Sequence, residues 1–296
     1  MIQCNRPRFL AMVLLMTHVL YNDRRVSCPV CGANATVAYL HPDAAIYRCG
    51  GCTHVFSDPR SIQKHETYST EYYEEAHRNW FQQPNVRLFR WIADQIPPQT
   101  RSVIDIGCGK GHFLRFLHSV RPALKLVGVD LSRNDAETGI EYYQGEISDV
   151  PITEKFDVVV SLAVIEHVAD VSEFAKRLAT LCRPEGQVLI MTLDNDSMLY
   201  RVARLMNNLA FRTAFNRLYS THHLHHFTER SLRSLLESAG ISVRKVHRTN
   251  APLRAVDVPT SNKLVRQLMW AGVAAIFLLG SVTRSAYLQT MVGTRR

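Results

Sequence analysis

No repeat and no low-complexity stretch interrupts the 296 residues, and the 46% apolar content is ordinary, so wholesale disorder is excluded. Neither Ser nor Thr follows Lys110, which removes the phosphate-cradling loop G-x-x-x-x-G-K-[ST] from consideration. The glycines around Lys110 also lack the G-x-G-x-x-G spacing of a nicotinamide-dinucleotide turn. Residues 9–20 are too few to span a bilayer, which takes ~20 apolar residues. Their basic start and short apolar middle have the form of a weak signal peptide, but residues 21–25 offer no small-residue cleavage site. The arm at 1–25 therefore reads as an extension or a misassigned start, with Met12 and Met16 as candidate starts and membrane anchoring or export as alternatives. Acidic residues are scarce in the last third. Lys and Arg against Asp and Glu number 16 to 22 over residues 26–200, 10 to 2 over 201–254, and 5 to none over 263–296. The net charge of +9 is thus carried by the carboxy-terminal part, where it suits a phosphate-bearing substrate, an anionic membrane surface or nucleic acid.

What is present is organised around residues 102–114, S-V-I-D-I-G-C-G-K-G-H-F-L. Val103, Ile104 and Ile106 predict a short buried strand, and Phe113, Leu114 and Leu117 begin a helical period. Gly107, Gly109 and Gly111 lie between, where backbone must approach a ligand closely and aim free N–H groups at it. An acid, Asp105, stands two positions before the first glycine. This order resembles motif I of the class I S-adenosylmethionine-dependent methyltransferases, of the ubiquinone-biosynthesis-like small-molecule type.

The resemblance continues in order through residue 192. A second strand ends at Asp130, nineteen residues beyond Gly111, where a carboxylate can accept from both ribose hydroxyls. Glu146 stands where the family usually has an acid that binds the adenine amino group, although only fifteen residues separate it from Asp130. A short helix over 132–138 is expected between them, weakened by Asn134, Asp135 and Gly139. The fourth strand, residues 156–161, leads into L-A-V-I-E-H-V, similar to the family's "FDvv…lEHv" signature. By that resemblance the cofactor-binding set is Asp105, Gly107, Cys108, Gly109, Gly111, Asp130, Leu131, Glu146, Ile147, Ser161 and Leu162, with Glu166 and His167 at the mouth of the crevice. The run at 184–190 is similar to the family's turn into a fifth strand. The fold implied is α/β and Rossmann-like, a seven-stranded sheet of order 3-2-1-4-5-7-6 with helices on both faces.

Four of the seven cysteines form a pattern of their own. Cys28-x2-Cys31, seventeen residues, and Cys49-x2-Cys52 have the spacing of a four-thiolate structural zinc site. A hairpin at 36–40 and 45–48 between the pairs makes this a small zinc ribbon over 26–60, the competing reading being two disulfides. Residues 61–100 read as a helical linker, with a helix over 66–90. Its aromatics, Tyr68, Tyr72, Tyr73, Trp80, Phe81, Phe89 and Trp91, suit either a lid over the cofactor or packing of ribbon against core.

The methyltransferase-like domain is placed at 101–296. Leu199, Val202, Leu205, Met206 and Leu209 are expected on one face of a helix whose opposite face carries Arg201, Arg204 and Arg212, read either as a solvated surface helix or as a cap over an anionic substrate. The four histidines of H-H-L-H-H at 222–226 do not form an obvious metal site, and in resembling proteins one histidine here lines the substrate pocket. His167, His222 and His225 are the candidate bases. Thr228 caps a helix over 229–238, followed by a sixth strand at 241–247. Residues 268–280 form the most hydrophobic run, inside an insert at 263–283, and a seventh strand at 286–293 argues against a membrane crossing. Peripheral membrane contact through 9–20 or 268–280 remains in the reading.

The function expected is methyl transfer from S-adenosylmethionine to a small-molecule, sugar- or lipid-linked acceptor, with an anionic acceptor suited to the basic last third. Oxygen, nitrogen and carbon acceptors stay open. The location expected is cytoplasmic, with membrane association as an addition. Alternatives are a degenerate scaffold or nucleic-acid-binding module, which the single Arg48 between the cysteine pairs supports poorly, and a nicotinamide-dependent enzyme, which the glycine spacing disfavours.

Overall fold

A computed structural model describes residues 26–58, 82–135, 137–256, 258 and 260–296. The arm at 1–25 and the aromatics Tyr68, Tyr72, Tyr73, Trp80 and Phe81 lie outside these residues. Strands β1 (Val26–Ser27), β2 (Asn34–His41), β3 (Ala44–Cys49) and β4 (Val55–Ser57) form an antiparallel meander around the two cysteine pairs.

Helix α1 (Val86–Gln95) begins where the Asn85 side chain accepts from the Leu88 N–H at 3.1 Å. Of the helix expected over 66–90, residues 66–81 lie outside the described residues; Gln82 is helical, the chain is non-helical at 83–85, and α1 begins at Val86. Pro84 keeps the residue before it out of the helical region, and Asn85 caps the first turn of α1. Phe89 packs on Phe113 and Trp91 stacks on His247, so these two aromatics join α1 to the core.

The sheet is built from β5 (Ser102–Ile106), helix α2 (His112–Val120), β6 (Lys125–Asp130), β7 (Ile140–Gln144), β8 (Phe156–Leu162), helix α3 (Val171–Leu181) and β9 (Cys182–Leu193). Helices α4 (Met198–Asn208) and α5 (Thr213–Leu218), the two-residue strand β10 (His225–His226) and helix α6 (Glu229–Ser238) come next. Strand β11 (Ile241–Thr249), helix α7 (Lys263–Val282) and β12 (Leu288–Arg295) complete the chain.

The strands lie in the order β7-β6-β5-β8-β9-β12-β11, parallel except that β12 runs against both neighbours. In order of succession within this sheet that is 3-2-1-4-5-7-6, as expected. Alternate residues serve opposite layers. Val103, Val158 and Val160 pack with Leu88, Ile92 and Leu114 of α1 and α2, whereas Ile104, Val127 and Val159 pack with Phe174, Leu178 and Leu232 of α3 and α6. Strand order reverses between β5 and β8, and in such sheets the ligand crevice lies outside the carboxyl ends of the strands at that point.

Three sequence expectations change. Among the described residues, the segment between β6 and β7 is irregular, with bends and a turn, rather than a helix over 132–138. Asp130 Oδ1 accepts from Ser132 N at 2.8 Å, and Asn134 Nδ2 donates to Gly109 O at 2.8 Å, so local polar bonds replace the helical ladder. On α4 the buried residues are Tyr200 and Ala203, while Leu205, Met206 and Leu209 are exposed. Arg204 turns inward to Asn195 O at 2.9 Å and Tyr219 Oη at 3.1 Å, which rotates the apolar stripe outward. Finally, β10 pairs with β4, His225 opposite Phe56, so the ribbon's sheet is completed by a strand from the far side of the chain.

Candidate functional site

A cavity of about 730 Å³ opens at the reversal point. Its walls come from the carboxyl ends of four parallel strands: Gly107 and Gly109 after β5, Asp130 and Leu131 at β6, Glu146 and Ile147 after β7, and Leu162 and His167 at and after β8. A side chamber of about 110 Å³ shares Gly107, Gly109, Leu162 and Ala163 with it and adds Asp105 and Cys108.

The glycine turn is required by sterics. Gly107 has φ of +75°, and a Cβ there would collide with Val164. Gly111 has φ of +72° at the start of α2, and a Cβ there would strike the Tyr142 hydroxyl. The turn is held from the next strand, because Gly109 N–H donates to Asp130 Oδ2 at 2.7 Å and the N–H groups of Gly107 and Cys108 reach Val129 O. Asp130 Oδ1 also accepts from Ser132 N and Ser132 Oγ, which leaves Oδ2 with room for one further donor.

Asp105 is buried to 2% exposure, and its Oδ1 has no hydrogen-bond partner. Burial, with the Asp130 charge next, pushes its carboxyl up to about 8. An orphaned oxygen on a buried acid needs a donor, preferably a cationic one. The ammonium of an amino-acid-bearing ligand in the side chamber fits that requirement, so these residues suit S-adenosylmethionine.

Beyond Leu162 the cavity changes character. Leu193, Leu199, Ala251, Phe277 and Tyr287 make it apolar, and Arg217 and His223 add polar groups at its edge. Glu166 is 1% exposed, accepts from Thr192 Oγ1 at 2.8 Å, and is pushed up to about 7 by burial. His167 Nδ1 lies 2.7 Å from His222 O. A carbonyl only accepts, so Nδ1 carries the proton there, and Nε2 is the basic atom of the neutral ring.

Four expected site residues lie elsewhere. Gly111 and Ser161 line neither chamber, and Ser161 is buried in β8, because alternation along the strand turns Leu162 rather than Ser161 to the cavity. His222 contributes its carbonyl to His167 rather than its ring to the cavity. His225 is buried on β10, its Nδ1 3.0 Å from His54 Nε2, and burial pushes it down to about 4, so it is no base for a substrate. His223 takes the cavity position instead. Arg217 and Tyr287 are additions that sequence reasoning misses, since neither sits in a motif.

The four cysteines of the ribbon converge. Their sulfurs lie within 4.8 Å of one another, with Cys28 to Cys52 at 3.6 Å and Cys31 to Cys49 at 3.4 Å. These separations are far from a disulfide's ~2.05 Å and near the ~3.8 Å edge of a tetrahedron with ~2.3 Å metal–sulfur bonds. Gly51 and Cys52 N–H groups donate to Cys49 Sγ, as suits a sulfur carrying negative charge.

The chain's relatives agree with this geometry. The sequence profile of the methyltransferase domain family matches residues 72–246. A ubiquinone biosynthesis O-methyltransferase from Ralstonia nicotianae is 27% identical over 171 residues, 51% of this chain and 68% of the relative. Its counterpart from Bradyrhizobium diazoefficiens is 31% identical over 111 residues, 34% of this chain and 43% of the relative, so less than half of that protein is spanned. Among solved structures, Burkholderia thailandensis 1,6-didemethyltoxoflavin-N1-methyltransferase, with S-adenosylhomocysteine bound, superposes with a TM-score of 0.51 at 14% identity, covering 88% of this chain and 98% of that one. A chain from the complex of the Haloferax volcanii Trm112 methyltransferase activator with a methyltransferase superposes at 0.50 and 17% identity, covering 76% and 92%. The glycine turn, the acids at the strand tips and a profile match over more than half of its length place this chain in the methyltransferase domain family, as a class I S-adenosylmethionine-dependent enzyme.

Proposed function

We propose that the protein transfers a methyl group to an oxygen of a small, anionic, largely apolar acceptor held in the outer part of the 730 Å³ cavity. The observation that carries this reading is the continuity of that cavity. One wall holds the glycine turn and Asp130, and the same space reaches Glu166, His167 and Arg217. The curated relatives named above are O-methyltransferases, which favours oxygen over nitrogen and carbon.

When bound, S-adenosylmethionine supplies an electrophilic methyl carbon. Asp105 would hold the ammonium end in the side chamber, Asp130 the ribose hydroxyls, and Glu146 with Ile147 and Leu131 the base. The apolar outer wall excludes water and aligns the acceptor, and alignment alone removes ~7 to 11 kcal/mol of barrier. His167 takes the acceptor's proton on Nε2, and ionised Glu166, beside it in the chain, stabilises the resulting imidazolium. Arg217 pairs with the acceptor's negative group.

The four cysteines hold a structural zinc ion in this reading, all four positions filled by protein so that no site is left for chemistry. Its role is to fold β4, on which β10 and therefore the loop carrying His222 and His223 are hung. The protein acts in the cytoplasm, where its cofactor is made.

Calorimetry with S-adenosylmethionine tests the cofactor half, and a screen of hydroxylated aromatic acids and sugar phosphates with labelled cofactor tests the acceptor half. Binding heat and an O-methylated product are expected. No heat at saturating cofactor favours a degenerate scaffold, and heat with NAD⁺ alone favours a dehydrogenase. Metal analysis of the purified protein is expected to find zinc equimolar with chain.

A further inference from the structure

We propose that α7, with the exposed end of α4, seats this protein on the surface of an anionic phospholipid bilayer. Large exposed apolar residues concentrate on α7 and on the turn that ends α4: Leu209 is 63% exposed, Phe211 66%, Leu264 65%, Leu268 65% and Leu278 69%. A core helix as apolar as α7 would be mostly buried, yet its most apolar stretch is only 11% buried. Contiguous apolar surface of this kind marks an interaction site.

The helix lies against the domain rather than crossing a bilayer. Trp270 Nε1 donates to Val256 O at 3.4 Å, and Asn250 Nδ2 donates to Phe277 O at 2.9 Å, which ties α7 to the domain at its middle and towards its end. Its flanking strands pair antiparallel, Thr249 opposite Leu288, so the chain enters and leaves on one side. Five residues at 283–287 span at most about 18 Å when extended, which keeps the carboxyl end of α7 close to β12.

Charge selects the occupant. Lys263 and Arg266 precede or open the apolar stretch, Arg284 comes after it, Arg201 and Arg212 flank the α4 end, and no acidic residue occurs at 258–296. An apolar face flanked by these cations suits an interfacial helix on anionic lipid. A second copy of this chain would bring the same cations together. Leu199 of α4 and Phe277 of α7 also line the large cavity, so a seated protein presents the wall of its acceptor chamber to the bilayer.

Vesicle binding is read without turnover and so is independent of the methyl-transfer reading. The full chain is mixed with vesicles of phosphatidylglycerol and phosphatidylcholine, or of phosphatidylcholine alone, and the bound fraction is measured by flotation. Binding to the anionic vesicles is expected. The double variant Leu268→Glu, Leu278→Glu should weaken partitioning by at least about tenfold. Replacing Lys263, Arg266 and Arg284 by Gln should remove the preference for phosphatidylglycerol. Cofactor calorimetry and circular dichroism on each variant show that it is folded. No binding by the wild-type chain, or equal binding by the Leu268→Glu, Leu278→Glu variant, overturns the proposal. So does light scattering that finds a dimer dispersed by that variant while vesicle binding is unchanged.

Discussion

The two walls of the large cavity differ in how the chain builds them. The cofactor wall is local: Asp105, the glycine turn, Asp130 and Glu146 come from successive strand tips within 105–147, each braced by its neighbour's backbone. The acceptor wall is gathered from β8, β9, α4, α5, the histidine loop and α7, and is held largely by long-range bonds such as His167 to His222 O. A wall built from one repeated strand–turn unit can be kept while the other is rebuilt. That is the arrangement expected of a fold that shares a cofactor and varies its acceptors.

The largest effects should separate the walls cleanly. His167→Phe should lower kcat by about 10²- to 10⁴-fold, with the cofactor dissociation constant unchanged by calorimetry. Glu166→Gln should cost about tenfold and alter the pH profile. Burial raises the Glu166 carboxyl to about 7, so activity climbs as pH rises through that value and Glu166 ionises, and the variant should lose this limb. The sign for stability is opposite. A folded-state value raised above the unfolded one stabilises below about 4.5 and is progressively lost as pH rises towards 7. The variant should therefore melt higher than wild type at pH above about 7.

On the cofactor wall, Asp105→Asn should weaken cofactor binding by about 10- to 100-fold and leave the acceptor KM alone. A ligand ammonium favours the ionised carboxylate, so wild-type affinity should rise with pH up to about 8, and the variant's should not. If the two effects fell on the same parameter, the walls would be one unit.

Disrupting the four-cysteine cluster asks whether the ribbon belongs to the acceptor wall. Strand β10 connects the ribbon to the histidine loop, while among the described residues no strand of the ribbon pairs with β5, β6 or β7. Chelation, or Cys49→Ser, should raise the acceptor KM by several-fold to about tenfold and leave cofactor affinity within about twofold. Equal losses on both walls would mean that the ribbon supports the whole fold.

The same contrast decides what sequence could show. Glycines, acids at strand tips and the Thr228 cap are local rules, and the sheet order and the cofactor wall follow from them. The helix expected at 132–138 fails because Asp130 and Asn134 spend their side chains on the turn beside them. Periodicity names an apolar face on α4 without saying what covers it. His225 reads as a base because a histidine in sequence carries no mark of pairing with a ribbon strand, and Arg217 has no motif around it. Long-range contacts supply these facts, and none of them leaves a local pattern.

Arg217 gives the smallest effect and the sharpest test of the acceptor wall. It sits at the carboxyl end of α5, in an exposed position with its side chain on the cavity, so it adds little to the fold. It lines the cavity together with Tyr287 and His223, and a solvent-reached cation there gains from an anion but is screened by water. Arg217→Gln should thus raise KM for an anionic acceptor by about three- to tenfold, with kcat and melting temperature nearly unchanged. Arg217→Lys should recover part of the loss, because charge is kept while the bidentate geometry is not. Added salt should erode the wild-type advantage and leave the Gln variant unaffected. An unchanged KM in both variants would mean that the acceptor is neutral where it meets α5, and the outer wall would then select by shape alone.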